Sequence, residues 1–583
     1  MTARTEAIDP VLASVIARRL KSMTEEMGLA LLRTTRSPIL NEARDFVTGL
    51  YDADGDMLEQ TEYIPVLAFA LQPVCKRIIA FFGDDIHPGD VILHNDVFSG
   101  GNQNNDVAAF RPIFHEGTLV GWAACKGHQA DIGGAQAGGY NPDAREVWQE
   151  ALRIPPLKVY DRGVLRRDVW GMVFANIRYR IVEEDIKAQI GGTRVGERAM
   201  QELIARYGLE RFLAHKAHLF DSTEATVARG IEAIPDGRYE ATSTVFYDGV
   251  TDGSTMEIRL AVTVDGGHVT FDFTGSSPQT PGFVNAPYAA TASAVMLTFL
   301  MLIDPDIPHN AGIQRRVHIV NPEGSFLNAA FPAATTFGNS ITGPTSDAIM
   351  RAFAQAIPET VTAGWNRFLG FAVTGDDPRK GRPYTDILFL ALKGGSGATF
   401  GADGYDHIGL INCVGGILAQ DYEMFEIQNP HVLAKHEYLP DSAGPGRWRG
   451  GLGTETAFRI DGENVTAVAF GDGIEPGAEA FGLFGGGAGV LNRAVLRAPD
   501  GTERVAKSKQ ILRDIAKGTV LVQTAGGGGG YGEPFERPAE TVAEEVHNGL
   551  ISPEAAARDY GVAVTPDGEI DPTATAALRG AER

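Results

Sequence analysis

From residue 385 to 530 the chain is written largely in glycine and short apolar runs, and this stretch constrains the fold more than any other. Gly485-Gly486-Gly487 and the run Gly526 to Gly530 are poor helix material, because glycine loses the most backbone freedom on ordering. Short apolar segments between turn residues read as strands. Neither glycine run ends in the GK[ST] of a phosphate-binding loop. Neither follows the strand–GxGxxG–helix order of a dinucleotide fold. Both are read as tight loops where backbones approach closely, and no ATP-binding motif is recognised in this chain.

The N-terminal part has a different texture. Ile16, Leu20, Met23, Met27 and Leu31 recur at spacings of three and four, which predicts a helix over Leu12 to Thr34, closed by Ser37-Pro38. Further helices are expected over Leu67 to Phe82, Glu183 to Tyr207 and Ile349 to Ile357. Ala290 to Ile303 is the most apolar run, too short to span a bilayer, and reads as a buried helix. Turns at Asp54-Gly55, Pro88-Gly89 and Gly100-Gly101 separate short strands between Asp45 and Asp106, and Leu119 to Ala124 is another strand. Met256, Ile258, Leu260, Val262 and Val264 alternate, then Asp265-Gly266-Gly267 turns the chain into Val269, Phe271 and Phe273, a hairpin pattern.

Helical and antiparallel segments are thus segregated, which defines an α+β class with several domains. Four segments follow: an α+β region over 1–235 holding the candidate site, a hairpin and helical region over 236–384, a Gly-rich β region over 385–538, and a C-terminal helix with a polar tail over 539–583. The chain has 51 Lys and Arg against 74 Asp and Glu, a net charge of −23, with no basic stripe, so nucleic acid is excluded as a partner. No membrane association is expected either. Cys75, Cys125 and Cys413 are far apart and form no CxxC pair, and the N-terminus lacks the apolar stretch of a secretion signal. These features place the protein in a reducing compartment, the cytoplasm.

Chemistry-bearing residues concentrate between 41 and 139. Asp45, Asp96, Asp106, His128 and Asp131 sit in Gly-rich or turn-flanked positions, where catalytic groups gather on loops held by short strands. His128-Gln129-Ala130-Asp131 presents an imidazole and a carboxylate from one turn. With Asp106 and Asp45 they would make a mixed nitrogen and oxygen site for a divalent metal. The competing readings are an Asp before Gly as a turn residue and a single His as a structural one. No GxSxG or HExxH motif is present.

Several motifs then appear in order. Arg33-Thr-Thr-Arg-Ser-Pro38, Ala43-Arg-Asp-Phe46 and Asp52-Ala-Asp-Gly55 are followed by His128-Gln-Ala-Asp-Ile-Gly-Gly134, Leu152-Arg-Ile-Pro-Pro156 and Asp304-Pro-Asp-Ile-Pro308. Asn310-Ala-Gly312, Asn321-Pro-Glu-Gly324, Gly444-Pro-Gly-Arg-Trp-Arg-Gly-Gly-Leu-Gly453, Thr524-Ala-Gly-Gly-Gly-Gly529 and Asn548-Gly-Leu-Ile-Ser-Pro-Glu-Ala-Ala556 with Asp559-Tyr-Gly561 complete the set. Together they resemble the B-type chain of the hydantoinase, 5-oxoprolinase and acetone/acetophenone carboxylase family, from residue 33 to 561.

The resemblance implies a catalytic subunit that works with an A-type partner binding ATP and magnesium. The partner phosphorylates a carbonyl or lactam oxygen of a small molecule. The B-type chain then completes ring opening of a cyclic amide, such as a hydantoin or 5-oxoproline. Carboxylation of an activated ketone is the alternative, and a degenerate scaffolding subunit a third reading. The resemblance also implies a zinc or manganese site at Asp45, Asp106, His128 and the position of Gln103, with His128 and Asp131 in catalysis and Asp131 orienting His128 or its water. Gln103 stands where the family pattern has a histidine, and Gln129 where it has a second one; His94 is a nearby substitute. A hetero-oligomer is expected, with the apolar helices near 12–34 and 290–303 as candidate interface elements.

Overall fold

An antiparallel sheet of seven strands carries the candidate site, and its order follows from how the chain turns back on itself. The strands are β1 (Phe46–Asp52), β2 (Met57–Glu62), β3 (Val91–His94), β4 (Asp106–His115), β5 (Thr118–His128), β6 (Leu157–Asp161) and β7 (Val164–Leu165), ordered β2-β1-β5-β4-β3-β6-β7. The structure is a computed structural model and describes residues 8–565 and 568–580, with Glu62 described by its backbone alone.

β5 lies between β1 and β4, and its two faces do different work. Successive side chains on a strand point to opposite faces. Ala123, Cys125 and Gly127 face the helices Pro10–Thr34 and Arg180–Tyr207. A Cβ placed on Gly192 of the second helix would lie 2.8 Å from the Cys125 sulfur, so glycine lets helix and sheet approach closely there. Trp122, Lys126 and His128 alternate onto the other face. In the register of β4 and β5, Asp106 pairs with His128 and Ala108 with Lys126. The small Ala108 leaves room beside the long lysine.

The helix expected over Leu12 to Thr34 forms as Pro10–Thr34, started by the Asp9 side chain accepting from Val11 and Leu12 N–H. Its stripe of Ile16, Leu20, Met23, Met27 and Leu31 is fully buried. Glu183 to Tyr207 forms within Arg180–Tyr207. Leu67 to Phe82 is two helical pieces, Pro65–Ala68 and Leu71–Phe82, not one helix. Tyr288–Ile303 is buried on most sides within the chain, as expected for a core helix. The hairpin is present as β9 (Thr255–Asp265) and β10 (His268–Asp272), in a second sheet with β8 (Gly237–Phe246) and β11 (Val317–Val320).

The chain divides into two compact units. The first holds residues through Ala241 together with Arg259–Thr342; the second holds Thr242–Ile258 together with residues from Gly343 onward. This division differs from the four expected segments, because the site region and much of the middle region share one unit. The second unit contains a four-stranded and a five-stranded sheet. Phe371, Val373, Phe458, Ile460, Leu512 and Leu521 belong to its core. Its glycine runs interlock backbone to backbone: Gly528 N–H donates to Gly451 O, Gly529 to Gly364 O and Gly530 to Gly487 O. A Cβ on Gly528 would overlap the Ser396 carbonyl, so these glycines serve close backbone approach. The segment 539–583, expected as one helix and a tail, contains three short helices, Ala539–His547, Pro553–Tyr560 and Pro572–Gly580, two of them opened by proline.

Candidate active site

His128 ends β5 and Asp106 begins β4 directly opposite, so sheet register alone brings them together. His128 Nδ1 lies 2.8 Å from Asp106 Oδ1. A carboxylate there accepts from Nδ1–H, which leaves the lone pair on Nε2. Nε2 is buried and has no hydrogen-bond partner among the described residues. Burial works against a charged imidazole, but the Asp106 hydrogen bond and the charges of Asp106 and Asp45 outweigh it, and His128 titrates above its usual value.

Asp106 is held from its other side as well. Its Oδ2 accepts from Asn102 Nδ2 at 2.6 Å and from Asn339 Nδ2 at 3.0 Å. Asn102 Oδ1 in turn accepts from Lys126 Nζ, which also donates to Leu67 O at 3.3 Å. Lys126 is 1 % exposed. Burial pushes its ammonium down to about 8, against the nearby Asp106 charge that supports it.

Asp45 enters from the segment before β1. Its carbonyl accepts the His128 N–H at 3.0 Å, and its own N–H donates to Ile39 O at 2.9 Å. The preceding Arg44 sits at φ 60, a left-handed conformation that costs a non-glycine residue about 1 kcal/mol and marks a constrained position. Burial pushes the Asp45 carboxyl up to about 7; the His128 charge opposes this and Asp106 adds to it.

Gln103 donates from Nε2 to Thr336 O at 2.9 Å and accepts from Asn339 Nδ2 at 2.8 Å, with the Tyr140 hydroxyl also bonded to it. The Tyr140 ring stacks on His128 at 6.0 Å. Gln129 faces the other side of the sheet, where its amide meets Gly127 O and Gln189 Oε1. Asp131 turns to Arg178 instead of His128. Its carboxylate is clamped by the Arg178 backbone N–H and Nη1, each at 2.9 Å. The orienting partner of His128 is therefore Asp106, the residue that register places opposite it. Asp96 pairs with Arg153, and His94 binds Ser99 Oγ at 2.8 Å; burial lowers His94 to about 3. A cavity of about 580 Å³ lined by Gly133, Gly134, Trp148, Arg153 and Asn176 opens at the loop after Asp131.

The donors free to meet an ion are His128 Nε2 and the Asp45 carboxyl. Both Asp106 oxygens and both polar atoms of Gln103 are already engaged, and an amide is a weaker ligand for zinc or manganese than imidazole. The residues as arranged do not make the four-ligand centre that the resemblance implies. Among the described residues no group of three His, Cys, Asp or Glu side chains is arranged to hold an ion. Lys126, Asn102 and Asn339 lie outside the residues that the sequence singles out. Lys126 carries a signal, its even spacing from His128 on one strand; Asn339 lies 233 residues from Asp106 and carries none.

An imidazole oriented by a buried carboxylate, with a second carboxyl whose pKa is raised to about 7, is an arrangement that can support acid–base chemistry. The family follows from comparison. The profile of the Hydantoinase B/oxoprolinase family matches residues 9–534, and the chain belongs to that family. It is 35% identical to the beta chain of the caprolactamase of Pseudomonas jessenii over 587 residues, covering 98% of this chain and 99% of that one. It is 32% identical to the B component of a candidate D-/L-hydantoinase of Pseudomonas sp. (strain NS671), covering 98% of each. The crystal structure of the ATP-dependent caprolactamase from Pseudomonas jessenii superposes with a TM-score of 0.90 at 33% identity, covering 99% of this chain and 100% of that one.

Proposed function

We propose that this chain is the catalytic subunit of a two-component, ATP-dependent enzyme that opens a cyclic amide. Its partner is an A-type subunit that binds ATP and magnesium and phosphorylates the amide oxygen. The observation that carries this reading is the buried His128–Asp106 pair with Nε2 unbonded. Full-length similarity to chains named as components of a caprolactamase and a hydantoinase supports it. The three cysteines are buried and form no disulfide among the described residues, which fits a cytoplasmic setting.

An amide carbon resists water because nitrogen feeds electrons into the carbonyl. Phosphorylating the oxygen removes that protection and supplies a leaving group. His128 Nε2 takes a proton from water as the oxygen adds to the activated carbon. Asp106 fixes the Nδ1–H tautomer and steadies the imidazolium that forms. The ring C–N bond then breaks as the imidazolium returns the proton to the departing nitrogen and the added hydroxyl, losing its proton, becomes the new carbonyl; a second water hydrolyses the acyl phosphate left behind to the carboxylate and phosphate. Asp45, its carboxyl pushed up to about 7 and within electrostatic influence of His128, binds the water or the departing nitrogen. Lys126 keeps a positive charge beside Asp106 and fixes Asn102 against it.

The test is turnover of ε-caprolactam, hydantoin or 5-oxoproline by the chain purified with its ATP-binding partner. ADP and the ring-opened amino acid should form together and depend on His128. Fixation of bicarbonate onto a ketone in place of ring opening would overturn the reading.

A further inference from the structure

Glu150 is a buried carboxylate with no part in the chemistry above. It is 1 % exposed. Its electrostatic surroundings are backbone N–H groups and the Thr336 hydroxyl, with no cation among them. Oε2 accepts the Thr335 N–H and Oε1 the Thr336 N–H, each at 2.8 Å. A buried carboxylate without a cation is costly unless its oxygens are satisfied, and one carboxylate gripping two consecutive amides satisfies both.

What those amides begin is the short helical segment Thr336–Ile341. That segment delivers two contacts to the site. Thr336 O accepts from Gln103 Nε2, and Asn339 Nδ2 reaches both Gln103 Oε1 and Asp106 Oδ2. The stretch around Glu150 is itself pinned on two sides. Val147 N–H donates to Pro332 O at 3.0 Å, and Glu146 bridges Ala333. Leu152 N–H donates to Ile132 O at 2.8 Å, and Ala135 N–H to Gln149 O at 2.9 Å. Glu150 thus ties the loop after Asp131 to the segment that carries Asn339.

We propose that Glu150 is a positioning residue: by clamping Thr335 and Thr336 it holds Asn339 against Asp106, and through Asp106 it fixes the His128 imidazole. The proposal rests on Asp106 and His128 being the catalytic pair. Asn339 arrives from 233 residues away on this short helical segment, and Glu150 fixes the two amides at its start, Thr335 and Thr336.

The experiment is a double-mutant cycle on the complex with the ATP-binding partner, using Glu150→Gln, Asn339→Ala and the double variant with whichever of ε-caprolactam, hydantoin or 5-oxoproline the wild type opens. Each single change is expected to lower kcat about ten-fold or more with KM within about two-fold, and the double variant should be no slower than the slower single one. Hydrogen exchange on the full chain gives a readout independent of turnover. Glu150→Gln should speed exchange at Thr335 and Thr336 while β4 and β5 stay protected. Losses that multiply in the double variant, or unchanged exchange at Thr335 and Thr336, overturn the clamp even in an enzyme that opens lactams. Faster exchange with unchanged kcat overturns the catalytic role and leaves only a structural one. A wild-type complex that opens no cyclic amide overturns the functional reading, and the positioning role with it.

Discussion

His128 Nδ1 stands 2.8 Å from Asp106 Oδ1 while Nε2 of the same ring, also buried, meets no partner among the described residues. One nitrogen is fixed and the other is left with its lone pair, the arrangement a general base requires. Removing the fixing carboxylate charge should leave the ring in place but in the wrong tautomer. Asp106→Asn is expected to lower kcat/KM about a hundred-fold or more with a native circular dichroism spectrum. Activity within a factor of a few of wild type would show that Asp106 does not orient the base.

Lys126 offers a separable case. Its ammonium is buried, lowered to about 8, and bonded to Asn102, which in turn bonds Asp106. Removing one member of a buried charged set destabilises because the groups left behind lose their partner. Lys126→Met should therefore lower the melting temperature by several degrees and also lower kcat by roughly ten-fold, as Asn102 loses its anchor and Asp106 its nearby cation. A melting loss with normal specific activity would assign Lys126 to the fold alone.

Gln103 stands where the resemblance implies a histidine, and both ends of its amide are engaged by Thr336 and Asn339. Gln103→His should restore an imidazole among Asp45, Asp106 and His128. Zinc or manganese affinity, measured by calorimetry on the isolated chain, is expected to rise at least about ten-fold. Equal affinity in the two proteins would mean that position 103 contributes nothing to ion binding.

A histidine in the second unit gives a pH prediction free of the site. His431 is 2 % exposed and packs against the Tyr384 and Phe425 rings; burial holds its pKa down to about 4. In the unfolded chain it would take a proton near 6.5, so the unfolded state binds more protons between those values. Stability is then lost as pH falls from about 6.5 to 4, by on the order of 3 kcal/mol, and is unaffected above that range. Thermal melts across this range should fall less steeply for His431→Gln than for wild type. Identical slopes would mean that His431 does not stay neutral in the fold.

Much of the helical framework is legible in the sequence because burial writes a 3.6-residue period. The stripe Ile16, Leu20, Met23, Met27, Leu31 and the hairpin around Asp265-Gly266-Gly267 each announce their partner surface locally. The long helix Leu209–Glu232 escapes that reading. Its buried positions include His215 and Thr223, so its stripe is weakly apolar, and it begins directly behind Gly208 at φ +86. In the site, Asp45, Asp106 and His128 stand out from motif and turn context. Asp131 reads as the partner of His128 because they are three residues apart, whereas the chain leaves the strand after His128 and turns Asp131 to Arg178. Sheet register decides that outcome, and register is not written at either residue. Asn339 and Glu150 act across 233 and 185 residues, a separation that no local pattern encodes.

The most direct test of the account is ATP-dependent ring opening by the complex of this chain with its ATP-binding partner, wild type beside His128→Ala. ADP and ring-opened amino acid are predicted to appear together from ε-caprolactam, hydantoin or 5-oxoproline, and both ring opening and its coupling to ATP should fall about a thousand-fold in the variant while nucleotide binding by the partner is retained. Ring opening that proceeds undiminished in His128→Ala would contradict it.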